Sequence, residues 1–278
     1  MRTAESLAKL AVTKVPKCDV ASSGAEDCAR KTVEQFGKRL FRRPVEKAEV
    51  DRFLVTYTAT RAKATHEVAL EWMLVAMFQS PHFLYLRERG DEVVGSNIKL
   101  TSYEVASRLS YFLWQSTPDD ELLAAADRNE LQGGTKIAAH VERMMKHPRA
   151  RGSVGHFHEQ WLELNKFEEA PKDPRVFPTF AEVRNAMAEE GRLFLDAVFW
   201  NEGTVNGLLT APYTFVSAPL AKFYGVPAPA GTGFQKVNVD PAQRGGLLTQ
   251  GFLLTAIAHS DQTSTTLRGK FIRENVLC

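Results

Sequence analysis

The segment from His66 to Gln79 constrains the fold more than any other stretch of this 278-residue sequence, because it is apolar on nearly every side. Its apolar residues are distributed around a helix instead of forming one stripe: Val68, Leu70, Trp72, Met73, Leu74, Val75, Met77 and Phe78. A helix that is hydrophobic all round has to be buried by its neighbours. Pro81 ends the segment, because a proline pushes the residue before it out of the helical region. The sequence therefore predicts a central helix with other helices packed around it.

Helical spacing of apolar residues recurs through most of the chain. It extends from Glu26 to Arg43, from Glu46 to about Lys63, and from Thr179 to about Trp200, the longest of these segments. A proline-punctuated connector, APKDPRVFPTF, interrupts the pattern near residue 170. We therefore expect two helical regions, residues 1–170 and residues 171–278.

Only short segments have the alternation of β-strands. Phe83–Leu86 is expected to pair with Ile98–Leu100, and Phe234–Val239 reads as a further strand. The predicted fold class is therefore mainly α: a multi-helix orthogonal bundle in two packed sub-domains, with one or two short β-hairpins.

Composition and charge exclude two classes of function. The formal net charge is +2, and the chain lacks the concentrated basic face of a nucleic-acid-binding protein. No run of about 18 apolar residues occurs, so no membrane-spanning helix is expected. The N-terminal segment MRTAESLAKLAVTKV is too polar for the apolar region of a signal peptide.

Two of the three cysteines, Cys18 and Cys28, flank a short loop without a histidine or further cysteine to complete a metal site. A disulfide between them is the preferred interpretation, and it would indicate an oxidising compartment. Two unrelated thiols in a reducing cytosol are the alternative. Cys278 is the last residue and has no evident partner in the sequence.

A polar loop near the C-terminus, HSDQTS, suits two different roles. His259, Asp261 and Ser264 place an imidazole, a carboxylate and a hydroxyl close together in the sequence. A hydrolase could use His259 and Ser264 as catalytic groups if they were hydrogen-bonded at about 2.6–3.2 Å. No Gly-x-Ser-x-Gly elbow occurs, however. The favoured alternative is a helix cap, in which Ser264 or Thr263 caps the last helix.

Cations flank the same loop. Arg244 and Arg268, with Thr263, are predicted to bind substrate, because guanidinium and N–H donors stabilise an oxyanion. Arg108 is predicted to join them. It lies on a helix that carries apolar residues on two sides, so we expect it to be partly buried and to need a carboxylate partner.

Glu189 and Glu190 lie in the middle of the longest predicted helix, between residues that face the core. A solvated glutamate paired along the helix is the favoured interpretation. The alternative is an inward glutamate. Glu190 could then be a catalytic residue in glycoside cleavage, with a second carboxylate about 5–9.5 Å away.

The histidines do not form a convincing metal or haem motif. His156 and His158 are two residues apart, so on a helix they point in different directions and cannot share a metal ion. His140 and His147 lie on one side of another predicted helix, but no Cys-x-x-Cys-His sequence accompanies them. We predict no metal and no cofactor.

Five stretches, taken together and in this order, resemble one family. They are FGKRLFRRPVEKAEVDRF (Phe36–Phe53), FQSPHFLYLRE (Phe78–Glu88), LTSYEVASRLSYFLWQSTPDDELLAAA (Leu100–Ala126), LLTAPYTFVSAPLAKFYGVP (Leu208–Pro227) and RGGLLTQGFLLTAIAHSDQTSTTLRGKFIRENVLC (Arg244–Cys278). The family is a group of large secreted bacterial proteins, many from planctomycetes and myxobacteria, built from consecutive domains of unknown function. The Cys18/Cys28 pair also stands where the family has one. The family loop usually reads Thr-Ser-Pro where this chain has Thr263-Ser264-Thr265, and an asparagine is usual at Ser217.

The resemblance implies a location and partners but no reaction. It implies an extracytoplasmic location, whether periplasmic, cell-surface or secreted, and a chain that is an internal or truncated piece of a longer protein. Some relatives carry carbohydrate-binding or cytochrome c-like modules. The expected partners are therefore polysaccharide or a cytochrome-like domain of the same parent chain.

Three functions remain open at this point. The first is a helical module of unknown activity that is associated with polysaccharide degradation. The second is a hydrolase of the esterase or glycosidase type, with its site near His259, Ser264 and Glu190. The third is a component of a cytochrome-linked redox enzyme.

Overall fold

The protein is mainly α-helical and forms two compact units. The computed structural model describes residues 2–15 and 18–278, and the units divide between Ala150 and Arg151. Helices account for 63% of the structure, and the described residues contain only two small antiparallel sheets of two strands each. The predicted fold class, mainly α with one or two short β-hairpins, is confirmed. None of the described helices is long and apolar enough to cross a membrane.

The division between the units lies N-terminal to the boundary that the connector predicted near residue 170. Leu162 and Phe167, which precede the connector, are buried in the apolar core of the second unit. The indole N–H of Trp161 donates to the carbonyl of Asn275 at 2.6 Å. These residues pack with the C-terminal part of the chain. The prolines of the connector therefore mark a surface loop within the second unit.

The first unit contains helices of very different lengths and one hairpin. The helices are α1 (Arg2–Val12), α2 (Val20–Ser23), α3 (Ala25–Phe41), α4 (Lys47–Arg61), α5 (His66–Phe78), α6 (Pro81–Leu84), α7 (Ser102–Trp114), α8 (Asp120–Asp127) and α9 (Gly134–Met145). The hairpin pairs β1 (Glu92–Val94) with β2 (Asn97–Lys99). A tenth helix, α10 (Pro148–Trp161), begins at the end of this unit.

Helix α5 lies at the centre of the first core and packs against both α1 and α4. Met73, Leu74 and Met77 on this helix are completely buried. Val68 and Trp72 are 39% and 41% exposed, so one side of the helix reaches solvent. Burial of an apolar side chain contributes about 1.5–3 kcal/mol, and α5 therefore supplies much of the free energy that holds this unit together.

Arg42 explains why Phe83–Leu86 is not the strand that its sequence predicts. Ser80 accepts a hydrogen bond from the backbone N–H of His82 and so starts the short helix α6. Arg42 is 4% exposed, and its guanidinium donates to the carbonyls of His82 at 2.6 Å and Tyr85 at 3.0 Å. These contacts hold the segment at Arg42, and its expected partner Ile98 pairs with Val93 instead, so the strand prediction is wrong.

Cys18 and Cys28 form the predicted disulfide, and their Cα atoms are 5.5 Å apart. Cys28 lies in α3 and is 1% exposed, so the bond fastens the N-terminal loop to a buried position of the first core. Cys278 is a free thiol at the surface.

The second unit is built around its longest helix, α12 (Phe180–Ala197). The other helices are α11 (Asn165–Glu169), α13 (Val205–Thr210), α14 (Ala218–Tyr224), α15 (Gly251–Ala256) and α16 (Thr265–Phe271). Shorter turns are π-helical at Val198–Glu202 and Ile272–Val276, and 3₁₀-helical at Leu247–Thr249. Strand β3 (Tyr213–Val216) pairs antiparallel with β4 (Gln235–Asn238).

Helix α12 packs against β3, α14 and α15. Met187, Phe194 and Leu195 on this helix are buried. Gly191 permits the close approach of α15, because a Cβ atom at this position would lie 2.2 Å from the Phe252 ring. The residue before it on α12, Glu190, points instead toward β3 and α14, where Thr214 and Tyr224 contact it.

Candidate ligand-binding site

The second unit contains a cavity of about 480 Å³. Its wall is formed by the connector before α12, by α12, α14 and α15, and by the loop between α15 and α16. Apolar side chains make up a large part of that wall: Phe177, Phe180, Met187, Phe223, Leu248 and Leu254. A volume of this size and an apolar wall with a few polar groups are typical of small-molecule sites.

Three basic side chains line the same cavity: Lys172, Arg244 and Arg268, here called the cavity cations. No acidic side chain among the described residues lines it. The Lys and Arg ion pairs of the second unit, within the described part of the chain, all involve other basic residues: Arg151, Lys166, Arg175, Arg192 and Lys270. The cavity therefore collects positive charge that the protein itself does not neutralise by a contacting carboxylate.

Tyr224 and Thr249 hold Arg244 in place. The guanidinium carbon of Arg244 lies 3.7 Å from the centroid of the Tyr224 ring, a cation–π contact. One guanidinium N–H also donates to the carbonyl of Thr249 at 3.3 Å. The guanidinium is thus positioned before a ligand arrives, while it keeps further N–H groups to offer.

Lys172 joins the connector to the polar loop. Its ammonium group donates to the carbonyl of His259 at 2.6 Å, and the backbone N–H of Asp173 donates to the carbonyl of Ser260 at 2.9 Å. Burial lowers the pKa of Lys172, and the nearby charge of Arg184 lowers it further. An anion in the cavity would oppose both effects.

The sequence RGGLLTQG forms the turn that presents Arg244. The Thr249 hydroxyl oxygen accepts the backbone N–H of Gly245 at 2.8 Å. Gly246 has φ +62°, and a Cβ atom at this position would lie 2.1 Å from the carbonyl oxygen of Leu209. Only glycine satisfies both the left-handed backbone and the close approach. Gly246 therefore has a structural reason, and Arg244, two residues before it, lines the cavity.

Glu190 lies behind the cavity and is completely buried. Its carboxylate accepts hydrogen bonds of 2.5 Å from the Thr214 hydroxyl and from the Tyr224 hydroxyl. Burial raises the pKa of Glu190, although these two hydrogen bonds and the charge of Arg244 act in the opposite direction. Burial and the charge of Glu190 likewise raise the pKa of Tyr224, so this hydroxyl keeps its proton and acts as a donor.

Gln250 completes the buried group around Glu190. Thr214 and Gln250 are each 3% exposed, and the Thr214 hydroxyl lies 3.3 Å from the side-chain oxygen of Gln250. The single hydroxyl proton of Thr214 is used by Glu190, so the amide orientation that places the Gln250 nitrogen toward Thr214 satisfies both contacts. Gly251, the next residue, leaves room for the Tyr224 hydroxyl, which would lie 1.9 Å from a Cβ atom there.

Four of the residues predicted to form a site line this cavity: His259, Thr263, Arg244 and Arg268. Ser264 does not. It is 7% exposed, and its hydroxyl oxygen accepts the N–H of Leu267 at 3.2 Å, which caps α16. Within the described residues, no hydrogen bond joins the His259 ring to Ser264 or to Asp261. The structure therefore shows the helix cap and does not show the contacts that a catalytic triad requires.

Glu190 and Arg108 also lie away from the cavity wall. Glu190 does not line the cavity, whereas Tyr224, which donates to it, does. Glu190 is buried, so the favoured interpretation of a solvated glutamate does not describe it. That interpretation describes Glu189, which pairs with Arg192 along the helix. Arg108 belongs to the first unit, where its guanidinium donates to the carboxylate of Glu88 at 2.8 Å. The Arg108 side chain is 62% exposed, so the carboxylate partner is present but the predicted partial burial is wrong.

Sequence reasoning missed Lys172, Tyr224, Thr214 and Gln250. Tyr224 and Gln250 fall within stretches that were already prominent, YTFVSAPLAKFYG and RGGLLTQG. A signal for them was available, because each is a hydrogen-bonding side chain within an otherwise apolar segment. Their convergence on Glu190 is visible only in the folded chain, since they come from α14 and from the turn before α15.

The histidines of α10 differ in environment. His156 is exposed, with its ring nitrogen 3.3 Å from the Glu159 carboxylate. His158 is 8% exposed and packs edge-on against Phe199, and burial lowers the pKa of His158. Across the described residues, no group of three histidine, cysteine, aspartate or glutamate side chains is arranged to hold a metal ion.

These features define a class of protein: mainly α-helical, divided into two compact units, with a cationic and partly apolar cavity in the second. Two family models match successive parts of the chain. Residues 28–88 match the model described as PSD5, protein of unknown function (DUF1595), and residues 100–226 match the model described as PSD4, protein of unknown function (DUF1592). The chain is therefore similar to proteins that carry consecutive domains of unknown function. No curated protein and no solved structure matches it.

The second match contains only part of the candidate site. Residues 100–226 include Glu190, Thr214 and Tyr224, whereas Arg244 and Arg268 lie beyond both matched ranges. The buried carboxylate and the tyrosine in front of it therefore fall within a recognised domain, and two of the three cavity cations do not.

Proposed function

We propose that this chain is an extracytoplasmic helical module whose second unit binds a small anionic molecule in the cavity. The proposal rests on one observation: Lys172, Arg244 and Arg268 line one cavity, and no acidic side chain of residues 2–15 and 18–278 lines it with them. Like charges repel one another, and more strongly where the surroundings are less polar than water. A bound anion would remove this repulsion, so the arrangement is explained by a ligand better than by folding.

The expected strength of binding follows from the type of contact. A hydrogen bond to a charged group contributes about 1.5–3 kcal/mol, and a guanidinium can make two parallel bonds to one carboxylate. Arg244 is already held by Tyr224 and by the Thr249 carbonyl, so little conformational freedom is lost when it binds. Arg268 is exposed and makes no such contact, which makes it the better residue to change in an experiment.

Placement of the predicted catalytic residues favours binding over hydrolysis. Of His259, Ser264 and Glu190, only His259 lines the cavity. The hydroxyl oxygen of Ser264 is engaged as a helix cap, and the carboxylate of Glu190 is engaged by Thr214 and Tyr224. A hydrolase at this site stays a prediction from the sequence, as do a link to polysaccharide degradation and a role beside a cytochrome-like domain.

The extracytoplasmic location is supported by the Cys18–Cys28 disulfide, because disulfides persist in oxidising compartments. Mass spectrometry of protein taken from its native cells, with and without alkylation before lysis, tests this part. An intact disulfide is expected. Two alkylated thiols at Cys18 and Cys28 would contradict it.

Isothermal titration calorimetry on the purified chain at low ionic strength tests the binding proposal. The probes are acetate, phosphate, glucuronate and octanoate, with glucose and octanamide as neutral controls. We expect at least one anion to bind and the neutral probes to bind much more weakly. The affinity should fall with added salt, because salt screens the attraction.

Arg268→Gln is the variant for this titration, and Arg273→Gln is its matched control. Both arginines are exposed and lie near the C-terminus, but only Arg268 lines the cavity. Arg268→Gln should weaken anion binding by about tenfold to a hundredfold, the equivalent of one charged hydrogen bond. Arg273→Gln should leave it unchanged. Equal affinities of both variants, or no binding of any anion, would overturn the proposal.

A further inference from the structure

We infer, on the basis of the proposed anion site, that the ligand is a small carboxylic acid with an apolar body, and not an acidic sugar or an inorganic anion. The inference uses the distribution of polar and apolar groups over the cavity wall. It names the chemical class of ligand that both parts of the wall would accept.

The apolar groups occupy the deeper part of the wall. Phe180 and Met187 are 7% and 3% exposed, and both line the cavity. Arg268, His259 and Thr263 also line it but are exposed to solvent. A ligand that satisfies both regions is amphipathic, with its charged group near the mouth and its apolar body turned toward Phe180 and Met187.

The apolar wall disfavours a sugar ring. A hydroxyl group placed against Phe177, Phe180 or Met187 would lose its hydrogen bonds to water and gain none, which is costly. Some neutral polar groups line the cavity, but they are partly used: the Thr249 hydroxyl already bonds to Gly245. Gln243, Thr255, Gln262 and Thr263 also line the cavity, but the hydroxyls of glucuronate that face the apolar side chains would still lack partners.

The size of the cavity disfavours an inorganic anion. Its volume of about 480 Å³ exceeds what one phosphate or sulfate needs, and the remaining space is bounded by side chains such as Phe223 and Leu248. An apolar wall of this kind increases the affinity for a ligand only if an apolar part of that ligand displaces water from it. A carboxylate also matches the planar donor fork of Arg244, whose position is fixed by the Tyr224 ring.

Calorimetric titration of the unmodified protein with carboxylates of increasing chain length tests whether an apolar body increases the affinity. The probes are butanoate, hexanoate and octanoate, with octanamide as the neutral partner of the longest. Each buried methylene is expected to tighten binding by about fourfold until the cavity is filled. Octanamide should bind at least about tenfold more weakly than octanoate, because it lacks the charge that the cations recognise.

Leu248→Gln tests the contribution of the ligand's apolar body to affinity separately from that of its carboxylate. Val205→Gln is the matched control. Leu248 lines the cavity, whereas Val205 is 72% exposed and does not. Leu248→Gln should weaken octanoate by about fourfold or more and butanoate by less than about twofold. Val205→Gln should change neither. Thermal unfolding of each variant confirms that it is folded, and the series on the unmodified chain does not depend on either variant.

The outcomes distinguish a failure of the ligand class from a failure of the anion site itself. If glucuronate or phosphate binds as tightly as octanoate and loses affinity in Arg268→Gln, the anion site stands and the apolar carboxylate is wrong. If affinity is independent of chain length, the inference is also wrong. If no anion binds, both proposals fail together.

Discussion

Both units of this protein contain ion pairs, but only the second unit lines a cavity with basic residues that pair with no carboxylate in the described structure. In the first unit, the guanidinium of Arg43 donates to both carboxylate oxygens of Glu49 at 2.8 Å, and Arg143 donates to Asp119 at 2.7 Å. In the second unit, the cavity cations line one cavity, and no carboxylate of the described residues lines it with them. Charges that are paired by the chain itself are explained by the fold, and charges that converge without a partner point to a ligand.

The same contrast holds for the buried acids. Burial acts to raise the pKa of Glu49, but the hydrogen bonds from Arg43 and from the Glu46 N–H outweigh it and leave that pKa lowered. Glu190 has only two hydroxyl donors in contact, and burial raises its pKa. A cation in direct contact therefore separates the buried carboxyl whose pKa is lowered from the one whose pKa is raised.

The largest expected effect comes from breaking a pair in the first unit. Arg43→Met leaves the 8%-exposed carboxylate of Glu49 without its guanidinium, and we expect a loss of about 3 kcal/mol in the free energy of unfolding. Arg39→Met is the control from the neighbouring end of α3, because the Arg39–Asp120 pair is 64% and 71% exposed and should contribute less than about 1 kcal/mol. Urea denaturation measures both. Equal losses of unfolding free energy in the two variants would show that the buried pair stabilises the fold no more than the exposed pair.

The disulfide of the first unit gives the next effect. It closes a loop of 10 residues, and the loop-closure model predicts a loss of roughly 2–3 kcal/mol when Cys18→Ala removes it. Cys278→Ala is the control, since that thiol is free and exposed. Denaturation of both variants under non-reducing conditions supplies the comparison. A Cys18→Ala variant as stable as Cys278→Ala would show that the bond adds no constraint to the unfolded chain.

The two buried acids should give pH dependences of opposite sign. The folded-state pKa of Glu190 is raised above its usual 4.5, so its contribution is fully present below that pH and is lost as pH rises through the folded-state value. The pKa of Glu49 is lowered, so its contribution is present above 4.5 and is lost as pH falls through the folded-state value.

These opposite pH dependences can be checked by measuring the free energy of unfolding against pH. The measurement compares the unmodified chain with Glu190→Gln and with Glu49→Gln. The stability of the unmodified chain relative to Glu190→Gln should fall as pH increases above about 4.5. Relative to Glu49→Gln, it should rise over the range below that pH. Parallel curves for Glu190→Gln and the unmodified chain would mean that Glu190 is not the buried acid that the geometry describes.

Local signals in the sequence predicted the parts of the fold that depend on neighbours in the chain. The segment from His66 to Gln79 forms α5, the central helix of the first core, as its composition indicates, although Val68 and Trp72 reach solvent. The strand prediction at Phe83–Leu86 failed because Arg42, far away in sequence, binds the carbonyls of that segment. Polar contacts between residues far apart in the chain produce no periodic pattern in the sequence, so the sequence did not predict this one.

The candidate site shows the same limit. The loop around His259 and the two arginines could be found from the sequence, since they collect polar groups between apolar helices. The burial of Glu190 could not be predicted from the sequence, because Glu189 and Glu190 are adjacent on one helix. Only the packing of that helix against β3 and α14 selects which of the two is buried. Ser264 was ambiguous between cap and nucleophile until the contact with the Leu267 N–H was known.

The smallest expected effect on stability is the sharpest test of the comparison between the units. Arg268→Gln removes a charge that pairs with no carboxylate in the described structure and that faces two other cations, so the free energy of unfolding should stay within about 0.5 kcal/mol or increase slightly. Arg192→Gln is the control, because Arg192 donates to Glu189 at 2.8 Å along α12 and should lose about 0.2–0.5 kcal/mol. Replicate urea denaturations without added anion, at low ionic strength, resolve the sign. A cost above about 1 kcal/mol for Arg268→Gln would mean that the fold itself uses this charge, and the difference between the two units would then disappear.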